Sequence, residues 1–264
     1  MALDTAELQK AAGVLWDART HTTPCAPLTE LYPRLSLADA YTISEINLRR
    51  RLALPSMKLE GKKIGLTSRA VQKQLGVDQP DFGYLLSDMN LPNGGEVSLT
   101  KLLQPRVEGE LAFMLKKDLT GPGITSAHVI SATEFVVPCI EIIDSRIKDW
   151  KIKVADTVAD NASAAMYVIG STPKNIGYQD WSMAGMALRI NGEVESTGVG
   201  RACLDHPVNA VAWLANMMGS LGVPLKAGEL ILAGAFGPVV SVNTGDVCEV
   251  EIHGLGPVSC RFTA

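Results

Sequence analysis

The chain has 264 residues, 47% apolar and 20% charged, which suits one sizeable core with at most a smaller appendage. A formal charge of −4, with the basic residues scattered, provides no field to gather nucleic acid or an anionic membrane. No apolar run reaches the ~20 residues of a membrane span, no basic-then-apolar export signal opens the chain, and five scattered cysteines, never in CxxC spacing, point to reduced thiols in a cytoplasmic protein.

Asp4 and Glu7 have capping-box spacing ahead of Leu8, Ala11, Ala12, Leu15 and Trp16 at helical intervals, which predicts a first helix. After a loop bearing Pro24, Pro27 and Pro33, Ser36 caps a second helix through Leu37, Tyr41 and Leu48. That helix closes on Arg49, Arg50 and Arg51, where cations complement the negative end of the macrodipole. A short helix from Ser68 ends at Gly76, a natural left-handed cap. From Glu96 the texture turns to short β-like runs punctuated by glycine. Residues 107–115 read as one strand and residues 135–143 as another, with Pro138 arguing for an irregular or edge position. Asn191-Gly192 predicts a two-residue hairpin. His206-Pro207 opens a helix to about Ser220, with Trp213 and Met217 at core spacing. Residues 229–235, 246–252 and 258–263 read as three further strands. Gly121-Pro122-Gly123 lacks the lysine of a phosphate loop and is assigned to a turn. Helices first and strands later indicate α+β rather than a regular alternating sheet.

The segment Arg106-Val107-Glu108-Gly109-Glu110-Leu111-Ala112-Phe113 carries the chemistry. Alternate strand side chains share a face, so Glu108 and Glu110 project together, away from Val107, Leu111 and Phe113. Two such carboxylates repel unless a proton or cation lies between them. Glu141, set among Val136, Val137, Ile140, Ile142 and Ile143, is expected to be buried, where an unpaired carboxylate is costly. Three carboxylates on two strands suit Mg²⁺ or Mn²⁺, and no histidine cluster competes for zinc or iron. The residues alone leave the alternative open: a Glu-x-Glu pair also occurs on the solvated face of an amphipathic strand.

Several blocks recur in order: residues 63–68 (Lys-Ile-Gly-Leu-Thr-Ser), 76–83 (Gly-Val-Asp-Gln-Pro-Asp-Phe-Gly), 104–110, 141–146 and 156–163, then weakly 206–209 and 212–216. Together they resemble the 2-keto-4-pentenoate hydratases of the fumarylacetoacetate hydrolase superfamily, over the chain from about Ser36 onward. The resemblance implies an α+β fold with a mixed β-rich roll, divided into an N-terminal helical segment (1–60) and a catalytic domain (61–264). It implies Mg²⁺ or Mn²⁺ on Glu108, Glu110 and Glu141, and a small 2-oxo or 2-hydroxy dienoic acid substrate from aromatic catabolism. It also implies a homo-oligomer that can associate with a pathway decarboxylase or aldolase.

On this resemblance Lys63 and Asp81 are the expected catalytic pair, Lys63 steadying the enolate or relaying a proton with a pKa lowered by burial and Asp81 positioning or deprotonating water. The plainer readings are a solvated Lys62-Lys63 pair and a turn-stabilising Asp81. Asp160, Asn161 and Ser163 are candidate substrate-binding residues, with loop chemistry as the alternative. Gly234 is a place where backbone approaches ligand, or else a bend. The sister 4-oxalocrotonate decarboxylases resemble the chain in most blocks but carry an aliphatic residue where Asp81 stands, which favours hydration over decarboxylation. A non-catalytic partner subunit of the decarboxylase is the remaining alternative. His21, His128, His206 and His253 fall outside any histidine–acid pair of the hydrolytic members, and His206 reads as a helix cap.

Overall fold

A computed structural model of the chain describes residues 2–264, apart from the side chains of Gln74 and Leu75. The N-terminal portion is helical: α1 (Thr5–Thr20), α2 (Leu28–Leu31) and α3 (Leu37–Leu52). Both long helices open on reciprocal capping boxes, Asp4 with Glu7 and Ser36 with Asp39, which satisfy otherwise orphaned N–H groups. The remaining elements are β1 (Leu59–Gly65), α4 (Arg69–Leu75), β2 (Asp81–Leu86), β3 (Asn90–Leu91), β4 (Gly95–Ser98), β5 (Arg106–Leu115), α5 (Ser126–Ala132), β6 (Thr133–Ile143), α6 (Val154–Ala159) and β7 (Ala164–Ile169). They continue with β8 (Gly185–Ile190), β9 (Glu193–Val199), α7 (Pro207–Ser220), β10 (Leu230–Ala235), β11 (Val240–Ser241), β12 (Val247–Ile252) and β13 (Val258–Thr263).

Two sheets result. The larger runs β2-β1-β10-β5-β6-β7-β3 with β11 beside β5, and the smaller runs β4-β13-β12-β8-β9. This is the expected α+β arrangement. Val107, Leu111 and Phe113 of β5 meet Val250, Val258 and Phe262 of the smaller sheet in the main core. Gly109 is the tight point, since a Cβ there would sit 3.0 Å from Met186 Sδ. A separate core joins Ala12, Leu15 and Ile43 of α1 and α3 to Val158 and Ala159 of α6, so the helices cover the segment that leads into the site.

Three features differ from the sequence reading. β1 and β2 were not expected, because Glu60-Gly61-Lys62-Lys63 shows no apolar alternation. Lys62 and Lys63 are 1% and 3% exposed, so the solvated-pair reading fails. Lys62 Nζ instead donates to both oxygens of Glu229 at 2.8 Å. Pro138 lies in a central strand, not at an edge: it faces Leu111 of β5, and its carbonyl accepts from Gly170 N where β7 has just ended. Its missing N–H therefore falls where no ladder partner is needed. The Asn191-Gly192 hairpin is present between β8 and β9, both residues at positive φ (54° and 89°), and His206 caps α7 by accepting from Val208 N.

Candidate metal centre and its cavity

The register of the antiparallel pair β5–β6 builds the centre. Glu108 lies directly opposite Glu141, and Glu110 lies opposite Cys139. Directly opposed residues share a face, so the alternation on β5 and the buried acid on β6 converge. One oxygen from each of Glu108, Glu110 and Glu141 lies within 4.8 Å of the others. Glu110 and Glu141 are 1% and 0% exposed. Among the described residues, Glu110 Oε1 and both oxygens of Glu141 have no hydrogen-bond donor.

Lys63 and Asp81 arrive from the neighbouring pair β1–β2. Lys63 aligns with Leu232 of β10, which aligns with Ala112 of β5, so it projects on the glutamate face. Its ammonium lies 3.2 Å from Glu141 Oε1, an ionic contact without hydrogen-bond alignment. Asp81 faces Gly65 across the ladder, and a Cβ on Gly65 would sit 2.2 Å from Asp81 Oδ1. Glycine is required there for the carboxylate to lie against the strand. At the bulge in β10, Gly234 adopts φ 104° and its N–H donates to Glu110 Oε2 at 2.8 Å. Backbone thus approaches a carboxylate of the centre at Gly234.

One ammonium faces four carboxyl groups, Asp81, Glu110 and Glu141 buried and Glu108 half-buried, and the electrostatics follow. Burial, then Glu141, raises Glu108 to about 7 and Glu110 well above the usual range. Burial raises Asp81 to about 6, with Lys63 pulling it down and Glu141 pushing it up. Burial acts to lower Lys63, but Glu141, Asp81, Glu108 and Glu110 together raise it. The direction is opposite to the sequence expectation of a lowered lysine: the surrounding acids outweigh desolvation. Carboxylate oxygens without donors, converging in a site too acidic for one lysine to neutralise, fit a hard divalent cation.

A cavity of about 150 Å³ opens on this cluster, with Lys63, Asp81, Glu108 and Ser163 contributing polar groups and Trp150 and Ile152 an apolar wall. Ala162 and Ser163 on its rim belong to the segment Asn161-Ala162-Ser163, three successive left-handed residues at φ 57°, 49° and 56°. Each such residue costs of order 1–3 kcal/mol and persists only where its surroundings over-determine it. The bracing is visible. Asp160 accepts from Arg146 Nε at 2.5 Å and Arg146 N at 2.9 Å, and the Asn161 amide bonds Tyr84 N and O on β2 at 2.7 and 2.9 Å. Gly83 admits the turn, since a Cβ there would lie 2.3 Å from Asn161 O.

The structure therefore places Lys63, Asp81, Glu108, Glu110, Glu141 and Ser163 together. Asp160 and Asn161 point into bracing bonds behind the turn, and Gly234 serves Glu110. Sequence reading gave no role to Gly65, Gly83, Arg146 or Trp150, although the first three fall within the blocks that carry the resemblance.

The fumarylacetoacetate (FAA) hydrolase C-terminal family profile matches residues 61–263. A 2-keto-4-pentenoate hydratase of Paraburkholderia xenovorans (strain LB400) is 50% identical over 254 residues, covering 96% of this chain and 94% of the relative. A 2-hydroxyhexa-2,4-dienoate hydratase of Comamonas testosteroni is 49% identical, covering 94% and 95%. The solved 4-oxalocrotonate decarboxylase from Pseudomonas putida G7, complexed with magnesium and adipate, superposes with a TM-score of 0.94 at 35% identity, covering 98% of each chain.

Proposed function

The chain belongs to the fumarylacetoacetate hydrolase family, and from that premise we propose that it is a metal-dependent hydratase of 2-hydroxypenta-2,4-dienoate or a close homologue. The product is 4-hydroxy-2-oxopentanoate, formed by net addition of one water, in the meta-cleavage catabolism of aromatic compounds. The observation that carries this reading is Asp81: a buried acid raised to about 6, on the same cavity as the buried Lys63 ammonium and beside the cluster of three converging glutamates. The relatives at 50% and 49% identity are themselves hydratases.

Glu108, Glu110 and Glu141 would hold Mg²⁺ or Mn²⁺, which supplies Lewis-acid polarisation of the substrate's 2-oxygen when bound. Lys63, kept protonated by the acids around it, donates to negative charge developing on that oxygen and is not a base. Asp81 exchanges a proton near neutral pH: it delivers one to the terminal carbon of the dienol while the 2-hydroxyl proton passes to solvent, giving a 2-oxo-3-enoate, and it regains one from the water that adds at C4 while C3 takes one from solvent. The Ser163 hydroxyl fits the substrate carboxylate, and the Trp150–Ile152 wall meets the hydrocarbon end and excludes bulk water.

The test is an ultraviolet assay on freshly generated 2-hydroxypenta-2,4-dienoate, with Mg²⁺ and with chelator, and mass identification of the product. Metal-dependent loss of dienol with a gain of one water is expected. Turnover of 4-oxalocrotonate with CO₂ release, and none of the dienoate, would replace the reading with that of the sister decarboxylase. Self-association, and a complex with a decarboxylase or aldolase of neighbouring steps, belongs to the same proposal and is checked by light scattering and co-elution.

A further inference from the structure

Behind the left-handed turn lies a second, partly open cavity, of about 50 Å³, lined by α1, α3 and β2 and by Asp160 and Asn161 themselves. Three guanidiniums line it: Arg19, Arg51 and Arg146. Arg146 is paired with Asp160, and Arg51 with Asp88. Arg19 reaches only Asp88, at 3.9 Å, and makes no side-chain hydrogen bond among the described residues. Three cations against these two carboxylates leave one positive charge in excess. Burial, then repulsion by Arg51 and Arg146, draws Arg19 down to about 10. Because 38% of its side chain remains exposed, the repulsion is the influence the geometry supports, and Arg19 stays charged at neutral pH.

The second observation is Ser44. Its residue is 4% exposed, it lines the same cavity, and its Oγ has no hydrogen-bond partner among the described residues. A buried hydroxyl left unpaired costs roughly 1–3 kcal/mol, so such a group calls for an acceptor. An unpaired hydroxyl and a guanidinium without a hydrogen bond therefore line one small space. The rest of the lining is largely apolar, including Trp16, Leu48 and Leu86.

We propose that this cavity binds a small monocarboxylate of about the size of acetate, at a site separate from the catalytic centre. The cavity is small, about 50 Å³, which suits an anion of few heavy atoms. Two coplanar oxygens match the guanidinium fork of Arg19 and can accept from Ser44, while the carbon end faces Trp16 and Leu48. A sulfate or phosphate has no apolar end to meet that wall. The site shares a wall with the catalytic cavity, because Asn161 and Asp160 line the first while Ala162 and Ser163 line the second. Occupancy is therefore felt at the turn that presents Ser163.

The experiment is a titration of the full chain with sodium acetate in chelator, followed by calorimetry and tryptophan fluorescence, against sodium chloride at matched ionic strength. Chelator keeps acetate from a metal-loaded catalytic centre, and no turnover is measured, so the outcome is independent of the hydratase reading. Saturable acetate binding is expected, absent with chloride, at least tenfold weaker in Arg19→Ala and weakened in Ser44→Ala, a change too small to unfold the chain. Trp16→Phe should remove the fluorescence change while calorimetric binding persists. An equal response to chloride, or binding unchanged in both Arg19→Ala and Ser44→Ala, means an adventitious ion only and overturns the proposal. No saturable binding means a water-filled cavity and overturns it equally.

Discussion

Replacing Glu108 by Gln should stabilise the metal-free protein while abolishing its response to metal. The exchange keeps the shape of the side chain and removes one charge from a cluster in which four acids face one lysine. Raising a carboxyl group from 4.5 to about 7 penalises its ionised form by at most about 3 kcal/mol, at 1.36 kcal/mol per decade of proton affinity. The folded value is the higher one, so the folded state holds an extra proton between pH 4.5 and about 7. Stability of the metal-free chain falls as pH rises through that window, and the full cost is present above it. The variant escapes this cost. In chelator the two proteins should melt together near pH 4.5, and at pH 8 Glu108→Gln should melt up to about 10 °C higher, taking roughly 2–4 °C per kcal/mol for a chain of this size. Adding Mg²⁺ at pH 8 should raise the melting temperature of the parent and leave the variant unmoved. Thermal denaturation followed by circular dichroism at both pH values decides it. A variant less stable than the parent in chelator at pH 8, or one still stabilised by Mg²⁺, would refute the argument that repelling carboxylates form the cation site.

Asp81→Asn should lower hydration at least ~100-fold while calorimetric Mg²⁺ affinity stays within about threefold, because the proton carrier is lost and the three glutamates are kept. Gly65→Ala should give the same split, its Cβ displacing a carboxylate oxygen that lies 2.2 Å from the ideal position. Mg²⁺ affinity should fall at least about tenfold for each pH unit below about 7, as Glu108 and Glu110 must lose their protons to become ligands; isothermal titration at pH 5.5, 6.5 and 7.5 measures this. Asp160→Asn leaves Arg146, 5% exposed, without its counter-charge, so denaturant melts should show a loss of about 3–5 kcal/mol.

Much of the centre was legible because strand alternation is local. Period two put Glu108 and Glu110 on one face, and the apolar neighbours of Glu141 declared its burial. That Glu141 stands opposite Glu108 is a matter of register between strands, which no local pattern states. Lys63 and Asp81 rested on resemblance alone, because the strand holding the lysine has too few apolar residues to announce itself. Asp160 and Asn161 illustrate the opposite limit. A polar run beside the cavity block looked like ligand-binding chemistry, yet those side chains turn away and hold the turn that presents Ser163. Side-chain direction in a left-handed segment follows from φ, and φ at non-glycine residues cannot be read from residue type.

Three strand positions around the centre, Gly65, Gly83 and Gly234, are filled by the neighbours' own atoms: a carboxylate oxygen, a carbonyl and a threonine side chain. An alanine scan, designed to subtract contacts, would at these positions add matter to a space already taken. Such a library would rank the three glycines beside the three glutamates for loss of activity, although none has a side chain to contribute. Separating the two groups takes a readout of metal binding alongside turnover: the glutamate variants lose both, whereas at Gly65 the metal stays and only the reaction goes.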